Sequence, residues 1–263
     1  MVSTFFCTFA PIIKMFGTMK QRIYKLLLIY VVLVAIFALQ HPVFIACYHS
    51  LFRGVGLGGV CAATWHGLRM DMAMAGYLAI VPGLLAAASV WTAGRAMRYA
   101  ACIYSAVAAA VVSLSFVVDL CLYGYWGFRL DATPVFYFFT SPADAVASVS
   151  GWFVVMGLLA AAAYGVGIYW IVQKILTADV PLLHSLRSRI CATAVAIVLT
   201  GVLFIPIRGG FTTSTMNLSA AYFSQNQRLN HAAINPLFSF MHSMAHQTDF
   251  ASQYRFMDNA EAE

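Results

Sequence analysis

Residues 26–48 read LLLIYVVLVAIFALQHPVFIACY, an apolar run that opens directly after Lys25. A helix rises about 1.5 Å per residue and needs about 20 apolar residues to cross about 30 Å of hydrocarbon, so this stretch is long enough to span a bilayer. It shows no period-two alternation, and unpaired backbone groups are not tolerated in lipid, so it reads as a helix. Four further runs have the same character: about Met72 to Trp91, about Ala100 to Tyr123, Gly151 to Val172, and Ile190 to about Ile207, where Pro206 marks the end. His41-Pro42 is expected to interrupt the first run.

Composition points the same way. Hydrophobic residues make up 62% of the chain and charged residues 9%, against about half and about a quarter in an ordinary soluble domain. A soluble fold of this length would leave much of that apolar surface in water. The fold class expected is an all-α membrane protein, five transmembrane helices followed by an amphipathic extracytoplasmic helical neck. Residues 1–25 form the cytoplasmic amino end, 26–207 the transmembrane domain and 208–263 the neck. Met15 and Met19 are candidate true starts, because Met19 is followed by Lys-Gln-Arg and then the long apolar run. No small-residue cleavage site follows a short apolar core, so the first helix is expected to stay attached.

Orientation follows from Lys and Arg, which cytoplasmic loops retain. One side collects nine bases, Lys14, Lys20, Arg22, Lys25, Arg95, Arg98, Lys174, Arg187 and Arg189, against one acid, Asp179. The other side sets six bases, Arg53, Arg69, Arg129, Arg208, Arg228 and Arg255, against seven acids: Asp71, Asp131, Asp144, Asp249, Asp258, Glu261 and Glu263. The amino terminus is therefore expected inside and the carboxyl terminus outside a bacterial inner membrane. The net charge of +6 is mostly this retention signal and carries no nucleic-acid meaning.

Several short patterns carry little chemistry. Gly54-Val-Gly-Leu-Gly-Gly59 matches a dinucleotide fingerprint by letter but lies between membrane helices, where an outer turn is the better reading. Gly157, Ala161 and Gly165 recur every four residues and allow a neighbouring helix to approach closely. No two cysteines have metal-site spacing; a Cys47–Cys61 disulfide is a minor alternative. His242 and His246 stand four apart, a metal-ligand spacing on a helix, but no carboxylate lies between them, and with His231 they read as solvated or packed side chains.

Asp119, near the outer end of the third run, is the informative acid, since an unpaired charge in hydrocarbon costs several kcal/mol. Arg69, at the start of the second run, and Arg129, just after the third, are the available partners. Two readings stand: a structural brace between helices two and three, or a lipid-phosphate site built on these arginines. The candidate lipid or headgroup residues are Arg69, Asp71, Asp119, Arg129, Asp131 and Arg208. The aromatic segment from Gly124 to Ser150, with Tyr125, Trp126, Phe128 and Phe136 to Phe139, suits the lipid–water boundary as a cap. In the neck, Asn217, Asn230 and Asn235-Pro236 are expected to cap helices and fix turns. The segment from Leu237 to Met244 is expected as a helix lying on the membrane, and Asp249 to Glu263 as a polar helix carrying a following domain.

Gly67-x-Arg-x-Asp71, the stretch from Asp119 to Asp131, Arg208-Gly-Gly210, Tyr222-Phe-Ser224 and Leu229-Asn230 through Asn235-Pro236 resemble the membrane half of lipoteichoic-acid-synthase-like proteins. These are sulfatase and phosphoglycerol-transferase relatives within the alkaline phosphatase superfamily, and the resemblance runs from about residue 20 to the end. It implies an extracytoplasmic α/β catalytic domain after the neck, with a Ser or Thr nucleophile and a divalent metal (Mn, Mg or Zn) held by Asp, Glu and His. No such motif is present in this chain, so it is expected to hold no catalytic residue, no metal and no cofactor of its own. Thr212, Thr213, Ser214 and Thr215 read as a polar exit loop. The partners implied are the bilayer, an anionic phospholipid, and an extracytoplasmic catalytic domain on the same or an adjacent chain. The function expected is that of a membrane-anchor module for an enzyme acting on phosphoglycerol, phosphoethanolamine or sulfate esters. A stand-alone scaffold is the alternative, and a transporter a more distant one.

Overall fold

A computed structural model describes residues 2–92, 94–141, 149–178, 180–183, 185–211 and 213–246, with side chains placed from residue 19 onward. The expected helix at Asp249 to Glu263 lies outside the described residues, as does Asp144. Among the described residues the chain is helical, with no strand. α1 spans Val2–Cys47, α2 Leu57–Ala88, α3 Arg95–Trp126, α4 Thr133–Thr140, α5 Gly151–Leu176, α6 Leu186–Val202 and α7 Phe204–Arg208. A 3-10 turn at Leu218–Ala221, α8 at Gln227–Ala233 and α9 at Pro236–Ala245 follow. Five helices are long and apolar enough to cross a membrane: Met19–Cys47, Leu57–Ala88, Arg95–Trp126, Gly151–Leu176, and α6 with α7 as Leu186–Arg208.

These five run alternately up and down. α1 packs along α2, α2 along α6, and α3 along α5. The α3–α5 contact uses the small-residue repeat: Ala161 is buried, and a Cβ on Gly165 would stand 2.9 Å from Ser113 Oγ. Apolar side chains on the outer faces of α5 and α6, among them Leu158, Trp170, Ile197 and Val198, are exposed. The core gathers where α1, α2 and α3 meet, around Ile29, Leu33, Phe37, Phe44, Met70, Met74 and Val112, and continues into Leu237 and Phe238 of α9.

Two helix boundaries differ from the expectation. α1 continues through His41 and Pro42 to Cys47; proline removes one donor, a loss membrane helices tolerate when neighbours supply polar contacts. α2 begins at Leu57 rather than near Met72, because its first turns mix Gly, Thr, His and Arg, which form a helix without being apolar. At this same end of the bundle, Gly209 and Gly210 take φ of +94° and +112°, the left-handed conformation that favours glycine. They turn the chain out of α7 so that the segment from Met216 to Ala245 folds back onto α1, α2 and α3. α9 accordingly packs against α3 and α2 with Pro236 to Ser239 buried, and does not lie free as a surface helix.

Candidate functional site: a buried polar layer

The length of α2 sets the position of the site. At about 1.5 Å per residue, 32 residues make a rod of about 48 Å, well beyond about 30 Å of hydrocarbon. Counting about 20 residues from Arg22, Ala88 and Arg95 reaches Pro42, Leu68 and Ser115 on α1, α2 and α3. His41, Asp71 and Asp119 all fall within about one helical turn of that level. The three long helices thus project past it, and the segment after Gly210 packs on the projecting parts.

At this level three polar groups from distant parts of the chain meet. Asp71 is fully buried; its Oδ2 stands 2.9 Å from His41 Nε2, and its Oδ1 accepts from Asn235 Nδ2 at 2.8 Å. His41 Nδ1 lies 2.7 Å from the carbonyl oxygen of Ala232. A carbonyl only accepts, so Nδ1 carries a hydrogen and donates. The contact between Nε2 and the carboxylate then needs a second proton lying between the two groups. His41 and Asp71 therefore form one proton-sharing unit, closed by two groups of the folded-back segment. Gly67, one turn before Asp71, leaves the room for it: a Cβ there would stand 2.5 Å from His41 Nε2 and 2.8 Å from the Ala233 oxygen.

Asp119 is the second buried acid. α3 ends at Gly127, whose φ of +73° reverses the chain, so that Arg129 and Leu130 come back against the helix they have just left. Leu130 N donates to Asp119 Oδ1 at 2.8 Å, and Arg129 Nη2 stands 3.0 Å from Asp119 Oδ2. The Arg129 guanidinium lies over the Phe44 ring at 4.1 Å, a cation–π contact that offsets part of its desolvation. Nε and Nη1 of Arg129 are buried without a hydrogen-bond partner. Burial pushes the Arg129 pKa below its ordinary value, and Asp119 acts against that.

The rest of the layer fastens the folded-back segment. Tyr123 Oη and His231 Nδ1 are 3.0 Å apart, and His66 stacks on Phe223 at 4.3 Å. Burial, and then the charge of Arg129, push the His231 pKa down, which holds it neutral. Asn230 Oδ1 accepts from Phe223 N and Ser224 N, and its Nδ2 donates to Ser224 O at 2.7 Å. Asn217 caps the 3-10 turn, Asn226 caps α8, and Asn235 caps α9 ahead of Pro236. Arg228 Nη1 donates to Leu51 O at 2.9 Å, and Ala132 N donates to Ser243 Oγ at 3.1 Å.

The residues singled out in the sequence separate into two groups. Asp71, Asp119 and Arg129 come together in the buried layer with Asn235. Arg69 is exposed on α2 and is not the partner of Asp119; its Nη2 donates to Gly209 O at 3.1 Å. Arg208 is exposed at the end of α7, while Asp131 accepts from Thr133 N and Oγ1 at the start of α4. A cavity of about 460 Å³, lined by Leu26, Tyr30, Met72, Leu203, Pro206 and Phe211 among others, runs along α1, α2 and α6 to Arg69 and Gly209. Cys47 and Cys61 are free thiols. His242 and His246 stack at 4.2 Å, and among the described residues no three His, Cys, Asp or Glu converge as metal ligands. His41, which the sequence offers only as a break in a helix, is the central member of the site. Its signal was an ionisable side chain inside an apolar run. No protein-family model matches the chain, and no curated protein or solved structure is found to match it.

Proposed function

We propose that this chain is a membrane anchor that holds its extracytoplasmic segment in one fixed pose, and that it serves a sulfatase-like phosphoglycerol transferase or hydrolase. The observation that carries the anchor reading is the link from His41 and Asp71 to Ala232 and Asn235. A flexible tether needs no such link. Oriented this way, a catalytic domain continuing from α9 meets its substrate at a set height above the lipid, and its divalent metal belongs to that domain. The exposed Arg69 and Arg208, beside an apolar cleft, suit the phosphate and acyl chain of an anionic phospholipid.

The test joins the purified full chain to a sulfatase-like domain and compares two substrates. Manganese-dependent turnover of a vesicle-embedded fluorescent phosphatidylglycerol is expected to fall when Asn235 is replaced by Ala, while turnover of a soluble phosphodiester is unchanged. Equal effects on both substrates, or metal-dependent turnover by the present chain alone, overturn the proposal. A reporter active only outside the cytoplasm, fused after Glu263, is expected to be active.

A second reading, proton-coupled transport, draws on the proton-sharing His41–Asp71 pair, since ionisable groups at membrane depth mark ion pathways. Against it, both buried acids are closed by groups from loops or from the folded-back segment. The cavity of about 460 Å³ is not lined by His41, Asp71, Asp119 or Arg129. Proton uptake into vesicles holding the chain, abolished by His41→Gln, would favour transport.

A further inference from the structure

We infer that the cleft of about 460 Å³ along α1, α2 and α6 holds one acyl chain of an anionic phospholipid as a resident lipid, and that its phosphate, on Arg69, fastens the turn out of α7. The walls of the cleft are fixed by close packing next to it. α6 and α7 sit tightly on α2 through two glycines about two helical turns apart. A Cβ on Gly76 would stand 2.8 Å from Ile207 Cγ1, and one on Gly83 would collide with Thr200 Oγ1. Small residues let helices approach this closely in a membrane, and the contact sets where α6 stands relative to α2. The gap to α1 therefore cannot close unless that contact is broken. Leu26, Leu27 and Tyr30 form one wall of it, and Leu199, Val202 and Leu203 the other. Tyr30 Oη donates to Met72 O at 3.2 Å, so the one hydroxyl in the α1 wall already has a partner.

Depth and charge select the occupant. In the levels counted above, Leu26 stands about 6 Å from the Arg22 edge of the hydrocarbon and Arg69 at the opposite edge, so the lining spans more than the depth of one leaflet, about 15 Å. An apolar cleft left empty loses dispersion contacts on both walls, and water finds too few polar partners to fill it. A hydrocarbon chain entering from the surrounding bilayer satisfies both walls. Among the described residues Arg69 is the only charged side chain lining the cleft, and no carboxylate forms an ion pair with it. It is exposed and donates from Nη2 to Gly209 O, while a guanidinium has five N–H donors and suits a phosphate. Gly209, Gly210, Phe211 and Met216 line the cleft with Arg69. A phosphate bound there bears on the turn from which the folded-back segment starts. The inference rests on the reading of Arg69 and this cleft as a phospholipid site, and it needs no catalytic domain.

The full chain, purified in dodecyl maltoside and delipidated, is titrated with dioleoyl phosphatidic acid or dioleoyl phosphatidylcholine. Native mass spectrometry counts the lipid retained, and unfolding by sodium dodecyl sulfate reads stability. Saturable retention of one phosphatidic acid per chain is expected, with a rise in the unfolding midpoint because the lipid binds the folded state. Val202→Trp and Leu27→Trp enlarge exposed side chains on the two walls. Each is expected to weaken retention about tenfold or more and to abolish the rise. Val198→Trp, exposed on α6 outside the cleft, is expected to change neither; if one wall variant fails to fold, the other decides. Arg69→Gln is expected to bring phosphatidic acid down about tenfold, to the level of phosphatidylcholine, and Arg53→Gln, an exposed arginine outside the cleft, to leave it unchanged. Absence of saturable retention, equal retention of the two lipids, equal losses from Val202→Trp and Val198→Trp, or retention without a rise in the midpoint overturns the proposal. None of these results alters the turnover expected of Asn235→Ala, so the anchor reading stands or falls separately.

Discussion

Asn235 is the residue whose replacement isolates the docking of α8 and α9. Its Nδ2 donates to Asp71 Oδ1 at 2.8 Å and its Oδ1 accepts from Phe238 N at 3.0 Å, with the side chain fully buried. A hydrogen bond to a charged acceptor contributes about 1.5–3 kcal/mol, and a helix cap about 1 kcal/mol. Asn235→Ala removes both, so a loss of about 3 kcal/mol is expected. Asn235→Ser keeps the cap and loses only the bond to Asp71, an expected loss of about 2 kcal/mol. Asn235→Asp keeps the cap but sets a second carboxyl against Asp71. It is expected to be the worst of the three at neutral pH and to recover on acidification, because two such groups share a proton. The assay is unfolding of the solubilised protein by sodium dodecyl sulfate, followed by tryptophan fluorescence, with protease cleavage between Met216 and Ala245 as a local readout. A change in Asn235→Ala within about 0.5 kcal/mol of the native protein, the range of ordinary surface substitutions, would falsify the latch. So would an Asp variant no worse than the Ser variant.

Gly67→Ala is expected to destabilise despite a helix-propensity gain of about 1 kcal/mol, since overpacking against His41 and Ala233 costs about 1–3 kcal/mol. Gly58→Ala, with nothing within 4 Å of its Cβ, is the control and should raise the unfolding midpoint. Arg129→Gln strands Asp119 in the interior at an expected cost of about 3–5 kcal/mol; adding Asp119→Asn should recover part of that loss in a double-mutant cycle by the same assay. The folded-state pKa of His231 is depressed by burial and by Arg129, and that of His242 by burial and then by His246. The unfolded chain therefore takes up protons first, and stability is expected to fall as pH drops below about 6.5, with no loss above it. His231→Gln should flatten that slope between pH 7 and 5; an unchanged slope sinks the assignment.

The five spans were legible because hydrophobic length is a property of each segment by itself. Their ends were less so. Hydropathy marks only the part of a helix that lipid would surround, so α2 was read as starting near Met72, whereas it starts at Leu57. The missed turns are the ones on which α8 packs. Asp119 was recognisable as an acid in need of a cation, yet Arg69 and Arg129 were equal candidates by sequence. The left-handed turn at Gly127 decides between them by folding Arg129 back. Asp71 and Asn235 are 164 residues apart, and no local pattern announces their bond. His41 carried the clearest overlooked signal, because proline next to it drew the reading toward a helix break and away from its side chain.

The placement of these groups follows from two competing costs. Deep in hydrocarbon a charged side chain is expensive, and in water an ion pair is worth about 1 kcal/mol or less. Near the outer edge of the hydrocarbon the penalty has eased, while solvent is still excluded enough for a satisfied pair to hold. His41, Asp71 and Asp119 stand at one level of the bundle on three different helices, and each finds its remaining partner in a segment that must fold back to reach it. Apolar packing of Leu237 and Phe238 supplies much of the contact but tolerates sliding, since one methyl group substitutes readily for another. A carboxylate that needs Asn235 on one oxygen and His41 on the other does not. The polar layer therefore contributes register more than strength, as buried polar groups do where one arrangement has to be selected.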